Sequence, residues 1–242
     1  MDTNRTTERT VGVLFIAATV GSIAASAALG SALDGPEYLT DLAAQQGRVI
    51  LAAVIFLIAA MSAFATSFLL FPILRRHAEG LAAGYVGLRA FENVFYISGV
   101  VALLAMLTVS QHDAIGTTGT TDSRLLGATL LALHDWSILI GTLVFFALGA
   151  AILNYVLYRS RLVPRWLSTW GLIGAPLALS YGVAGILGYG TDLGSPLMLL
   201  AMPIAVQELV FAGWLVARGF DRRTADHMLT QQPRVTPRSG QR

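Results

Sequence analysis

The chain has 242 residues, 55% of them hydrophobic and only 12% charged, with a formal net charge of +2. An ordinary soluble domain carries about 25% charged residues, so the composition argues against a water-soluble fold and for one membrane-embedded domain. The lack of cysteine excludes disulfides, thiolate metal sites and a cysteine nucleophile.

All sixteen basic residues are arginine, a bias that suggests a GC-rich bacterial genome. The pI near 9.2 would fit a nucleic-acid partner. The arginines lie in short loops and at the chain ends, however, where membrane topology accounts for them, and no nucleic acid is expected to bind.

A spanning helix needs about 20 mostly apolar residues. Six segments meet that requirement: 10–32, 48–71, 83–109, 124–158, 167–189 and 196–217. The first follows Arg5 and Arg9 and contains Ala25-Ser26-Ala27, which resembles a signal peptide. A signal h-region is about 7–15 residues, whereas this apolar run is about 22, the length of a span. Small residues recur every fourth position in it: Ala18, Ser22, Ser26 and Gly30 in one row, Ala17, Gly21 and Ala25 in another. Such rows allow close helix approach, within the bundle rather than in a dimer. Asp34-Gly35-Pro36, the 115–121 stretch and Gly194-Ser195-Pro196 read as breaks.

Glycines 171, 174, 182, 185 and 188 with Pro176 suggest that the fifth helix packs closely or bends, a gating hinge being the weaker alternative. The sixth helix ends near Ala217. Residues 1–219 thus form the transmembrane domain. Residues 220–242 are read as a disordered, Arg-rich cytoplasmic tail, with Arg218, Arg222 and Arg223 against anionic headgroups. A docking site for a partner is the alternative reading of the tail.

Arginine placement gives the orientation. Thirteen of the sixteen lie at the two chain ends and in the loops after the second and fourth helices, while the opposite loops are acidic and hold only Arg48 and Arg124. By the positive-inside rule both termini are cytoplasmic and the membrane is the inner one. Trp166, Trp170 and Trp214 fall at the inner boundary and Trp136 toward the outer one, the headgroup levels that indole rings prefer.

A charge inside hydrocarbon costs about 2.5–3.5 kcal/mol on insertion scales. Arg89, Glu92, His134, Asp135 and Glu208 (next to Gln207) therefore need an account. The run 136–158 can span alone, which would leave His134 and Asp135 at a hydrated outer helix end. Glu208 has twelve uncharged residues before it and nine after, which puts it roughly 15 Å from the inner end, close to the midplane. Counted from residue 83, Arg89 is about 9 Å deep and Glu92 about 13 Å. They share a helical face, so a cluster of Arg89 with Glu92 and Glu208 is expected. One cation against two carboxylates leaves one positive charge lacking. Either a carboxylate is protonated in a static structural pair, or a cationic ligand or proton completes the site.

No HExxH, GxSxG or phosphate-binding glycine loop is present. The four histidines fall on different sides of the membrane, so no metal site and no cofactor is expected.

Several short motifs resemble a bacterial membrane family catalogued as domain of unknown function 4386. They are an N-terminal arginine before a Gly-containing first helix, Arg89-x-x-Glu92, Leu133-His134 and Phe145-Phe146. Tyr158-Arg159-Ser160 follows, then Pro164-Arg165, Leu167 and Gly171. The resemblance covers the chain except its tail. It implies an integral membrane protein and no established activity. It adds weight to Arg89, Glu92 and His134, and counts against a merely hydrated His134.

The expected fold is all-α, a six-helix transmembrane bundle. The leading expectation for function is binding or transport of a small or lipophilic molecule at Arg89, Glu92 and Glu208, with membrane lipids as partners. A regulatory or scaffold subunit is the first alternative. An intramembrane enzyme using Glu208 or the His134–Asp135 pair as acid and base is the weaker one.

Overall fold

A computed structural model describes residues 5–114, 120–189 and 195–221. Most of the 115–121 break, the Gly194 turn residue and the tail beyond Asp221 lie outside the described residues. Those described are helical, with no strand among them. The helices are α1 (Arg5–Leu29), α2 (Tyr38–Ala44), α3 (Gln46–Ala114), α4 (Thr120–Leu139), α5 (Phe146–Ser160), α6 (Arg165–Ile186) and α7 (Met202–Ala217). A six-residue π-helical segment, Ile140–Phe145, joins α4 to α5, and a 3₁₀ turn, Pro196–Leu200, leads into α7.

Five stretches are long and apolar enough to cross a membrane: Arg5–Leu29, Gln46–Ala114, Thr121–Ser160, Arg165–Ile186 and Pro196–Ala217. The second is two spans. Its 69 residues break at Ala78, where φ is −161° and ψ is 87°, and the chain doubles back. Val49 and Phe56 of the first arm share a core with Val100, Leu103 and Met106 of the second, as antiparallel packing requires. The six expected spans are therefore present, although the loop expected at 72–82 is largely helical.

The bundle is apolar on its outside. Val13, Ile23, Ile58, Phe91, Val101 and Ile173 are all exposed, an exterior suited to lipid and not to water. Polar groups turn inward, as hydrocarbon demands.

α1 packs against both α3 and α7, and α6 packs against α5 and α7. Gly12 makes the α1–α7 approach close: a Cβ there would lie 2.7 Å from the Ala212 carbonyl oxygen. Gly21 meets Ala59 in the same manner across to α3, with a Cβ distance of 3.1 Å, so this small-residue row serves packing within the bundle. At one end the core holds Val11, Phe15, Leu74, Tyr85, Leu157 and Phe211. At the other it holds Ala25, Val49, Phe56, Val100, Leu103 and Met106. Arg89 and Glu92 lie between these two apolar layers.

The start of α1 is tied to the end of α7. The Arg5 guanidinium donates to the carbonyl oxygens of Val216 (3.3 Å) and Ala217 (2.6 Å). These are among the last carbonyls of α7, which have no acceptor role inside the helix. Arg5 also pairs with buried Glu8 at 3.2 Å. Gly219, at φ +74°, turns the chain beside them where any side chain would overlap both. Just past Gly219, Phe220 is buried, and the Asp221 N–H donates to the Leu162 carbonyl oxygen at 2.9 Å.

Candidate functional site

On the second arm of α3, Tyr85, Arg89, Glu92 and Tyr96 recur at intervals of three or four residues and share one buried face. The Arg89 guanidinium donates from Nη1 to both Glu92 oxygens at 2.9 Å. Nη2 donates to Glu208 Oε1 of α7 at 3.1 Å, and Nε to the Tyr85 hydroxyl at 3.3 Å. Three rings surround the guanidinium, those of Phe15, Tyr85 and Phe146, with centroids 5.7, 5.7 and 5.4 Å away. Ring faces stabilise a desolvated cation. The second Glu208 oxygen accepts from the Thr19 hydroxyl of α1 at 3.3 Å. The structure thus brings Arg89, Glu92 and Glu208 together, from two helices far apart in sequence, with a third helix contributing Thr19.

The group borders a cavity of about 220 Å³. Much of its wall is small and apolar: Ala18, Ala59, Ala60, Ala63, Ala178 and Ala205. Alanine at these positions leaves the space that larger residues would fill. The polar lining is confined to Arg89, Glu92 and Glu208 with Thr19, Ser22, Tyr96 and Thr142. Arg89 and Glu92 are almost wholly enclosed, with side chains 3% and 5% exposed, whereas Glu208 keeps 14%. Glu208 is therefore the carboxylate available to an occupant. With all three ionised, the site carries one net negative charge.

The π segment forms one side of this cavity through Thr142 and Leu143. Two glycines hold it. At Gly141 a Cβ would lie 2.8 Å from Phe95 Cβ and 3.3 Å from the Glu92 carbonyl oxygen, so the segment abuts the turn that carries Glu92. At Gly182 of α6 a Cβ would lie 2.8 Å from Leu143 Cβ. Phe145 stacks on Phe91 and Phe95, each at 5.4 Å, while its neighbour Phe146 turns to Arg89. Single-turn π segments often occur at functional sites, because the extra residue re-aims the side chains around it.

The secondary candidates part company. His134 is not at a hydrated helix end, as the length of the 136–158 run had suggested. It is buried, and its Nδ1–H donates to the Gly99 carbonyl oxygen of α3 at 2.8 Å. The reason is Gly99 itself, whose absent side chain lets α4 approach; a Cβ would lie 3.1 Å from Ile138. Asp135 is exposed on a different face of the helix. Neither borders the Arg89 cavity. Gln207 turns away from Glu208 as well, donating to Asn154 Oδ1 at 3.1 Å and to the Leu167 carbonyl oxygen at 3.3 Å. Gly171 gives Asn154 its room, since any side chain there would overlap it.

Thr19, Thr142 and Asn154 did not stand out in the sequence. Asn154 could have been found as an amide inside an apolar run. Thr19 and Thr142 carry no comparable signal, because hydroxyls are common in spanning helices, where they can bond the carbonyl four residues back.

No curated protein and no solved structure matches the chain. Residues 10–219 match the sequence profile of the family described as Domain of unknown function (DUF4386), and the chain belongs to that family.

Proposed function

We propose that this protein binds, and moves within the membrane, a small lipophilic molecule bearing a positive charge, at the Arg89–Glu92–Glu208 site. One observation carries the reading: a guanidinium shared by two carboxylates stands in the wall of a 220 Å³ cavity lined mainly by alanine and other apolar side chains. A buried site with one excess negative charge attracts a cation, and the apolar wall favours a hydrocarbon body beside it. Intramembrane ionisable residues facing a bundle interior commonly mark such sites.

We further propose that both termini are cytoplasmic and that the membrane is the bacterial inner membrane, on the strength of the arginine distribution. The cysteine-free chain allows a direct check. A single cysteine replacing Arg76 should react with an impermeant maleimide only from inside the cell, and one replacing Glu37 only from outside. The reverse pattern would invert the topology.

For the site, the purified protein and Glu208→Gln would be titrated in mild detergent with hexyltrimethylammonium and with 1-hexanol, and the bound mass read by native mass spectrometry. The reading expects the cation to bind the wild type in preference to the alcohol, and to be lost from a still-folded Glu208→Gln. Equal binding of cation and alcohol, or equal binding to both proteins, refutes it. If neither protein binds and the variant only melts at a lower temperature, the carboxylate is structural and a scaffold role gains.

A further inference from the structure

Where α5 gives way to α6, a second cavity of about 400 Å³ is bordered by Arg161, Arg165, Arg218, Trp214 and Asp221. Its floor is apolar and buried, made by Leu162, Val163 and Phe220. The three arginines are exposed, and against the one carboxylate they leave two positive charges in excess. The Arg165 guanidinium lies over the Tyr158 ring at 5.3 Å and that of Arg218 over the Trp214 ring at 4.7 Å. Stacking holds these forks in place without using up their N–H donors.

Two backbone features add to the positive field. Arg165 opens α6, whose first N–H groups have no acceptor within the helix and whose dipole points its positive end at the cavity. Arg161 ends α5 in the left-handed region, at φ 54° and ψ 26°. Glycine meets that backbone requirement more easily, so the turn itself does not need a guanidinium. Trp166 stands 6.5 Å from both Trp170 and Trp214, a cluster of indoles suited to the headgroup level of a bilayer.

We infer that this cavity binds the phosphate of an anionic phospholipid headgroup. Guanidinium forks match phosphate oxygens in geometry and charge, and the apolar floor and indole cluster suit a glycerol and acyl-chain entrance. A free phosphate shares the charge but has no use for the apolar floor, so a lipid is the occupant that fits both. The site is separate from the Arg89 cavity and does not depend on what that cavity binds.

The test titrates the detergent-solubilised protein with phosphatidylglycerol and phosphatidylcholine, counting bound lipids by native mass spectrometry. Arg161→Gly removes one guanidinium while easing the left-handed turn, so the fold is kept. Arg165→Gln removes a second, and Arg75→Gln serves as a control outside the cavity. The wild type is expected to hold phosphatidylglycerol over phosphatidylcholine. Arg161→Gly and Arg165→Gln should each weaken that binding roughly tenfold, the scale of one charge-assisted hydrogen bond, with Arg75→Gln unchanged. Equal retention of the two lipids overturns the inference, as does an undiminished Arg161→Gly or an equal loss in Arg75→Gln. Displacement of phosphatidylglycerol by low-millimolar inorganic phosphate would make this a soluble-phosphate site instead; persistence of the lipid supports the headgroup.

Discussion

Replacing Arg89 by methionine keeps a long side chain among Phe15, Tyr85 and Phe146 and removes the only cation bonded to Glu92 and Glu208 among the described residues. Two carboxylates, 5% and 14% exposed, would then stand together without a counter-charge. Deleting one partner of a buried ion pair costs about 3–5 kcal/mol, and Arg89 serves two partners, so the loss belongs at the upper end. If unpaired charge is the cause, neutralising both acids must undo most of it. Arg89→Met/Glu92→Gln/Glu208→Gln should recover about 2 kcal/mol or more relative to Arg89→Met. Glu208→Gln alone should cost less than Arg89→Met, since Glu92 still holds the guanidinium with two bonds. The assay is reversible unfolding in mixed micelles with rising dodecyl sulfate, followed through the four tryptophans. The reasoning fails if Arg89→Met costs less than about 1 kcal/mol, the value of an exposed pair. It fails equally if the neutralised triple variant is no more stable than Arg89→Met.

Other outcomes follow from packing and from the loop ends. Gly12→Ala should destabilise by about 1–3 kcal/mol in the same assay, because its Cβ meets the Ala212 carbonyl oxygen and Val216 at 2.7 Å. Gly87→Ala, with nothing within 4 Å of the new carbon, should be neutral or stabilise by up to about 1 kcal/mol. His134→Leu should cost about 1 kcal/mol through loss of the bond to Gly99, while His134→Asn, whose amide can still donate, should lose less. Burial, helped by the neighbouring Arg76, holds the His77 imidazole below its ordinary 6.5. A lowered folded value means that the unfolded chain takes up the proton first, so the contribution is present above pH 6.5 and fades as pH falls below it. The melting temperature should therefore drop between pH 7 and 5, and His77→Gln should flatten that drop; an unchanged slope would count against it.

The spans were legible because hydrocarbon imposes a length and an apolar composition that few soluble segments satisfy. The meeting of Arg89 with Glu208 was legible for a related reason. Depth along a helix follows from residue counting, and a charge at mid-depth needs a partner at the same depth. The azimuth of a helix is not given by counting. His134 turned inward against Gly99, and Gln207 turned to Asn154 while adjacent Glu208 faced Arg89; both depend on which neighbour stands on which side. The π segment was hidden as well, because 140–145 is an ordinary apolar run whose extra residue is paid for by packing at Gly141 and Gly182. The short helix Tyr38–Ala44 lies in a loop read only as acidic and broken at Asp34-Gly35-Pro36. Its Leu39 and Leu42 are buried against chain that comes later, and a local pattern of seven residues does not reveal that.

The shared guanidinium also bears on how the protein is made. Arg89 and Glu92 leave the ribosome three residues apart and enter the bilayer as a pair whose charges already cancel, which spares part of the roughly 2.5–3.5 kcal/mol that each would cost alone. Glu208 follows 119 residues after Arg89, in the final span, with no basic residue of its own helix beside it. Its insertion is helped only if the earlier helices have already assembled with Arg89 facing the vacant place. Synthesis runs from the N-terminus, so the first spans act as the receptor for the last. Arg5 waits at the far end of the same groove for the carbonyls of Val216 and Ala217. A chain interrupted before residue 208 would keep the neutral Arg89–Glu92 pair and lack the carboxylate of Glu208 that faces the cavity. Completion of the site would then coincide with insertion of α7.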